Sequence, residues 1–113
     1  MTPRLATSLY VNALIRRVHQ SGGMAAVLCK GDVTAGALLL ITLENGVNTG
    51  IWERAWTPDG VYRWTPVSSQ IIDNEQKITE LWRRRRESDP DLWVVELDIV
   101  HAAQFAVDLD GTG

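Results

Sequence analysis

The sequence predicts a single α+β domain, mainly an antiparallel sheet of about five strands with two helices packed on one face. Three observations carry that prediction. The chain has 113 residues, 45% hydrophobic and 22% charged, which suits one folded domain able to bury its own core. Two turn signatures, Asn45-Gly46 and Pro58-Asp59-Gly60, separate apolar runs of strand length. Two segments with helical spacing of apolar residues bracket those runs. One domain therefore spans residues 1–113, with a frayed tail expected over 110–113.

The first helix runs from a cap at Thr7 or Ser8 to about His19. Leu9, Ala13, Leu14 and Val18 form its apolar side, and Gly22-Gly23 gives the backbone freedom of an exit. Met24 to Cys29 is a short strand, Lys30-Gly31-Asp32 a turn, and Ala35 to Glu44 a second strand. The unbroken apolar centre of that strand, Leu38 to Ile41, predicts an interior position covered on both faces. Asn45-Gly46 suits a two-residue type I′ hairpin, because both central positions need positive φ. That turn pairs Glu44 with Val47 and, further along, Leu39 with Trp52. Pro58-Asp59-Gly60 suits a three-residue loop pairing Thr57 with Val61, Trp56 with Tyr62 and Arg54 with Trp64. The expected result is a meander of four strands.

Alternation along these registers puts Leu39, Ile41, Trp52, Arg54, Trp56, Tyr62 and Trp64 on one sheet face, whereas a two-residue loop at Asp59-Gly60 would put Trp56 and Tyr62 on opposite faces. Five of the eight aromatic residues are tryptophan, and the helices are expected to cover the face that carries them. The second helix starts with Asp73 as N-cap and Gln76 at capping-box spacing. It carries Ile78, Leu81 and Trp82 on its apolar stripe and ends at Ser88-Asp89-Pro90-Asp91. Leu92 to Ile99 then adds a strand to the same sheet. Ala102 to Leu109 reads as a last short strand or a docked tail.

Composition excludes several classes of function. Eleven Lys and Arg against fourteen Asp and Glu give a net charge of −3, so bulk charge does not drive binding to a polyanion. All eleven cations and half of the acids precede Glu87, and only acids follow it. The single cysteine, Cys29, rules out an internal disulfide and suits a reducing compartment. No apolar run reaches the roughly 20 residues that span a bilayer, and no signal peptide is recognised. A cytoplasmic protein without a membrane association or a cofactor is expected.

Four groups of residues could carry chemistry. Arg83, Arg84 and Arg86, with Arg16 and Arg17 of the first helix, are the candidate nucleic-acid or phosphate contacts, because the arginine fork binds oxyanions bidentately. Four successive helical residues point in different directions, however, so the run Arg83–Arg86 also reads as a solvated helix end. Arg85 falls on the apolar side, with Asp89 or Asp91 as its expected partner. The face bearing Trp52, Arg54, Trp56, Tyr62 and Trp64 is a candidate partner or base-stacking surface, against the alternative that it is simply core. Asp91, Glu96 and Asp98 are a weak candidate for a divalent cation, against the alternative of turn and exposed strand positions. Pro58-Asp59 and Glu75-Gln76-Lys77 spell fragments of a metal-dependent nuclease pattern, but in a turn and a helix start rather than on adjacent strands. His19, His101 and Cys29 have neither catalytic nor zinc spacing.

Three stretches together carry a resemblance. They are Met1-Thr2-Pro3-Arg4-Leu5, Gly31-Asp32 followed by Ala35-Gly36, and Asp89-Pro90-Asp91-Leu92-Trp93-Val94-Val95-Glu96. The combination resembles a family of short proteins, mostly from alphaproteobacteria, known as domain-of-unknown-function family fourteen ninety-one. The stretch Asp89 to Glu96 is its most specific part, and the middle from Asn45 to Ser69 departs most from it. The resemblance implies a bacterial, cytoplasmic, single-domain protein and supplies no activity, cofactor or catalytic residue.

The functional expectation is a small non-enzymatic binding or accessory protein, acting on a protein partner or as a homodimer. A nucleic-acid or phosphate binder using the arginine-rich helix end is the first alternative. A metal-dependent enzyme with an acidic site is the second.

Overall fold

The computed structural model describes residues 6–56, 58–60, 62–67 and 74–109. Among these the chain order is α1 (Thr7–Gln20), β1 (Met24–Cys29), β2 (Leu38–Glu44), β3 (Val47–Trp56), β4 (Tyr62–Pro66), α2 (Glu75–Ser88), β5 (Trp93–Asp98) and α3 (Ala102–Asp108). The strands form one sheet in the order β1-β5-β2-β3-β4. The expected four-strand meander is corrected here. β5 inserts between β1 and β2, running antiparallel to the first and parallel to the second. The sheet is therefore mixed, and the run Leu92 to Val95 is buried because it sits inside the sheet with helices over both faces.

The helices do not share a face. Val11, Leu14 and Val18 of α1 and Ala102 and Ala106 of α3 pack with Leu38, Leu40, Trp64, Val95 and Leu97. Ile78 of α2, with Leu81 and Trp82, packs on the opposite side against Leu39, Ile41, Ile51 and Val94. This corrects the expectation of two helices on one face. An interior strand that is apolar at every position needs a cover on both sides, and α2 supplies the second. The third helix, α3, replaces the expected strand or tail. Its buried positions are two alanines, whose small surface gives a weak periodic signal.

The two hairpin turns follow the sequence closely, with one slip, whereas the turn expected at Lys30-Gly31-Asp32 falls at 33–35 and β2 starts at Leu38 rather than Ala35. Glu44 pairs with Val47 as expected, and Asn45 and Gly46 have φ of 52° and 80°. A bulge then leaves Thr49 unpaired, since Thr42 faces Gly50 while Leu43 faces Asn48. Leu39 is consequently opposite Glu53, and Trp52 is opposite Leu40. One extra residue moves Leu39 and Ile41 to the α2 face and leaves Trp52 and Trp64 on the α1 face. The bulge is held by side chains: Asn48 Nδ2 donates to the carbonyls of Thr42 and Gly50, and the Trp52 indole donates to Thr42 Oγ1 at 3.0 Å. The β3–β4 register is as expected, with Trp56 opposite Tyr62 and Arg54 opposite Trp64. The Thr57–Val61 pair lies outside the described residues.

Helix ends differ in detail from the expected caps. At α1 the hydroxyl of Thr7 donates to the Gly36 carbonyl, and the first N–H groups of the helix reach the Val33 and Thr34 carbonyls instead of a side-chain cap. At α2 the cap is Asn74, whose Oδ1 accepts from the Lys77 N–H at 3.2 Å. Asp73, the expected cap, lies outside the described residues.

The stretches Gly31–Gly36 and Asp89–Glu96 meet in space. The Asp32 N–H donates to the Asp91 carbonyl, and the Trp93 indole donates to the Asp32 carbonyl at 2.7 Å. A Cβ on Gly31 or Gly36 would collide with that same Asp91 carbonyl. The Asp32 carboxylate closes the turn by accepting from the N–H groups of Thr34 and Ala35. These residues clamp the α1–β1 half of the molecule to the start of β5.

Candidate functional site

The α2 face of the sheet is only partly covered. α2 lies over the middle of β2, β3 and β5, leaving a cleft of about 750 Å³ between the helix, the β2–β3 hairpin and β1. Its apolar wall is Leu28, Ile41, Leu43, Ile78 and Trp82, and its charged groups are Glu75, Arg83 and Glu96. Glu96 is positioned by strand alternation, since Val95 and Leu97 point into the α1-side core and leave Glu96 and Asp98 on the other side. Asp98 is engaged by the hairpin. Its two carboxylate oxygens accept from the N–H groups of Asn45 and Gly46, both at 2.9 Å.

Glu96 sits in a different environment. Burial raises its carboxyl above the usual carboxylate range, and the charges of Glu75 and Asp98 push in the same direction. Asn48, 6% exposed, also lines the cleft. Its amide nitrogen holds the bulge, while its Oδ1 is buried without a hydrogen-bond partner among the described residues. A buried acceptor with no donor is uncommon and costs stability. The cleft thus combines an apolar wall with the Glu96 carboxyl and one buried acceptor, Asn48 Oδ1, that lacks a donor among the described residues.

Beside the cleft lies β1, one edge of the sheet. It contains no charged residue and no proline, and it exposes Met24 (74%), Val27 (41%) and Leu28 (38%). A bulge at Leu28 limits its regular part to Met24–Val27. The opposite edge, β4, is guarded: it carries exposed Arg63 and ends in Pro66. Leu28 belongs both to the β1 edge and to the cleft wall, so the two features are continuous.

The arginine candidates are divided. Arg16 and Arg17 are exposed on α1, on the far side of the sheet from α2, and Arg17 lies over the Phe105 ring at 5.3 Å. Arg83 lies 5.7 Å from the Trp82 ring centre, and Arg84 flanks a shallow groove with Lys77 and Glu80. Arg86 is tied down, donating to the carbonyls of Lys30 and Leu92 at 3.0 and 3.2 Å. Arg85 pairs with Glu53 of β3 rather than with Asp89 or Asp91. The α2 stripe turns it toward the sheet, and the bulge puts Glu53 on that side.

The aromatic candidates are divided as well. Trp64 is 7% exposed and its indole donates to the Tyr10 hydroxyl at 3.2 Å, which makes it core. Trp52 is half-buried beside it, and Arg54 stacks 4.1 Å from the Tyr10 ring centre. The side chains of Trp56 and Tyr62 lie outside the described residues. The acidic candidates do not converge either. Asp91 lies in the turn before β5, whereas Glu96 and Asp98 share one face of the strand. No group of three metal-ligating side chains is formed among the described residues. Asp59 pairs with Arg63 in the β3–β4 turn, and Glu75 opens α2. Among the described residues no helix is long and apolar enough to cross a membrane.

The cleft escaped sequence reasoning because its walls come from β1, β2, the hairpin, α2 and β5. The β1 edge was legible as a strand but not as an edge, since its place in the sheet depends on the insertion of β5.

A family model described as a protein of unknown function (DUF1491) matches residues 5–107. The crystal structure of a DUF1491 family protein from Caulobacter crescentus is 33% identical, with a TM-score of 0.76 over 84% of this chain and 88% of that one. An NMR structure of a DUF1491 family protein from the same organism is 32% identical, with a TM-score of 0.75 over 87% and 88% of the two chains. The solution structure of protein Atu0922 from A. tumefaciens is 31% identical, with a TM-score of 0.69 over 85% and 86%. No curated protein matches the chain.

Proposed function

We propose that this chain, which belongs to the DUF1491 family of proteins of unknown function, is a cytoplasmic, non-enzymatic binding domain that takes an extended segment of a partner protein along β1. The observation that carries this is the contrast between the two sheet edges. β4 has the charge and the proline that prevent strand addition, whereas Met24–Val27 offers an apolar, uncharged ladder. Strand addition draws affinity from main-chain hydrogen bonds and specificity from pockets beside the edge. The cleft that begins at Leu28 is such a pocket.

The test is retrieval of partners from native alphaproteobacterial lysate, with and without nuclease, followed by binding of the purified partner to the parent and to Val27→Lys. The expected partner is a protein retained after nuclease treatment, and the variant binds it at least tenfold more weakly. Material lost on nuclease treatment would favour the exposed arginines of α2 instead. A parent that light scattering finds dimeric, with Val27→Lys monomeric, would replace the foreign segment by a second copy of the chain.

A further inference from the structure

The cleft beside β1 has apolar walls and two carboxylates, and one side-chain chemistry matches both. Leu28, Ile41 and Trp82 suit an alkyl stem. Glu75 and Glu96 outnumber Arg83, and Asp98 adds further negative charge near Glu96. Asn48 lines the same wall, with its Oδ1 shielded from the opening. A ligand that ends in several N–H donors and a positive charge satisfies these groups, whereas an anion or a neutral hydrocarbon does not.

We propose that the cleft receives a lysine or arginine side chain from the segment added to β1, with Glu96 as its counter-charge. This inference rests on the strand-addition reading. Its geometry follows from the ladder: Ala26 faces Glu96 across the β1–β5 pair. A strand added outside β1 lies two strand spacings, about 10 Å, from β5. Along that row, among the described residues, the methyl group of Ala26 is what stands between them. A long basic side chain from the added strand passes over that methyl and meets the glutamate. Occupation replaces the repulsion among Glu75, Glu96 and Asp98 by attraction.

The probes are a short extended peptide of alternating valine and threonine with a central arginine, its norleucine analogue, and butylguanidinium chloride, each titrated into isotope-labelled protein at constant ionic strength. The arginine peptide is expected to shift the resonances of Glu96, the Asn48 side-chain amide and the Trp82 indole, and to bind at least tenfold more tightly than the norleucine analogue. Glu96→Gln, which keeps the side chain's shape, removes that difference. Equal binding of the two peptides, or an unchanged preference in Glu96→Gln, would overturn the cleft assignment. Butylguanidinium binding as tightly as the arginine peptide would overturn the partner side chain as its occupant. Strand addition is read separately, from the β1 amides: shifts there with either peptide support it even if the cleft stays silent.

Discussion

Ala26 of β1 stands opposite Glu96 of β5, so a bare methyl group of the exposed edge lies beside the carboxylate of the cleft. A larger residue at position 26 would cover Glu96 from the edge. The pairing makes one continuous surface of two features that the sequence separates by 70 positions.

A charge on the edge should block pairing without harming the fold. Val27 lies on the α1 side of the edge, opposite Val95, but is 41% exposed, so a lysine there can run its stem along that surface and keep its ammonium in water. Unfolding by urea should change by no more than about 0.5 kcal/mol, while partner binding falls at least tenfold.

Glu96→Gln should stabilise the isolated protein at neutral pH. The Glu96 carboxyl is raised by burial and by the charges of Glu75 and Asp98, so the folded chain keeps this proton where the unfolded chain has lost it. The contribution of Glu96 to stability is therefore fully present below the ordinary carboxylate range and is lost as pH rises through the raised value. The charged groups around it are Glu75 and Arg83 of α2 and Asp98 of β5. The variant should melt a few degrees above the parent at neutral pH and no differently at about pH 3, where both states are protonated. An identical difference at both pH values would contradict this origin.

Gly31→Ala should be severely destabilising. The new methyl would meet the Asp91 carbonyl, which is backbone and cannot swing aside. A loss of about 3 kcal/mol or more is expected, read by urea denaturation. Gly46→Ala meets no atom, so only its positive φ of 80° opposes the change. Its cost should be smaller, about 1 kcal/mol.

The Arg85–Glu53 pair should contribute little. Its side chains are 39% and 41% exposed, which leaves water to screen the attraction. A double-mutant cycle with Arg85→Gln and Glu53→Gln should give a coupling of about 0.5 kcal/mol. A coupling of several kcal/mol would mean that α2 is anchored by this contact rather than by Ile78, Leu81 and Trp82.

Much of the fold is written locally. The Asn45-Gly46 hairpin, the β3–β4 register and the end of α2 at Asp89-Pro90 follow from turn and cap chemistry, which acts over a few residues. The relationships that had to be seen are non-local. Whether β5 pairs with β1, with β2 or with both depends on chain segments far apart, and so does the choice of face for α2. The bulge at Thr49 is set by the Asn48 amide reaching two carbonyls and by Thr42 holding the Trp52 indole. No alternation pattern announces it, and it alone moves the tryptophans to the face opposite Leu39 and Ile41. Glu96 was legible as an acid on a strand, but its neighbours Asn48 and Glu75 were not.

Amide hydrogen exchange of the complex with the purified partner tests the binding edge most directly. The amides of Met24–Val27 that point away from β5 should exchange much more slowly in the complex than in the free protein, and Val27→Lys should remove the effect. Exchange of those amides at the free rate, with protection at another surface, would contradict strand addition at β1.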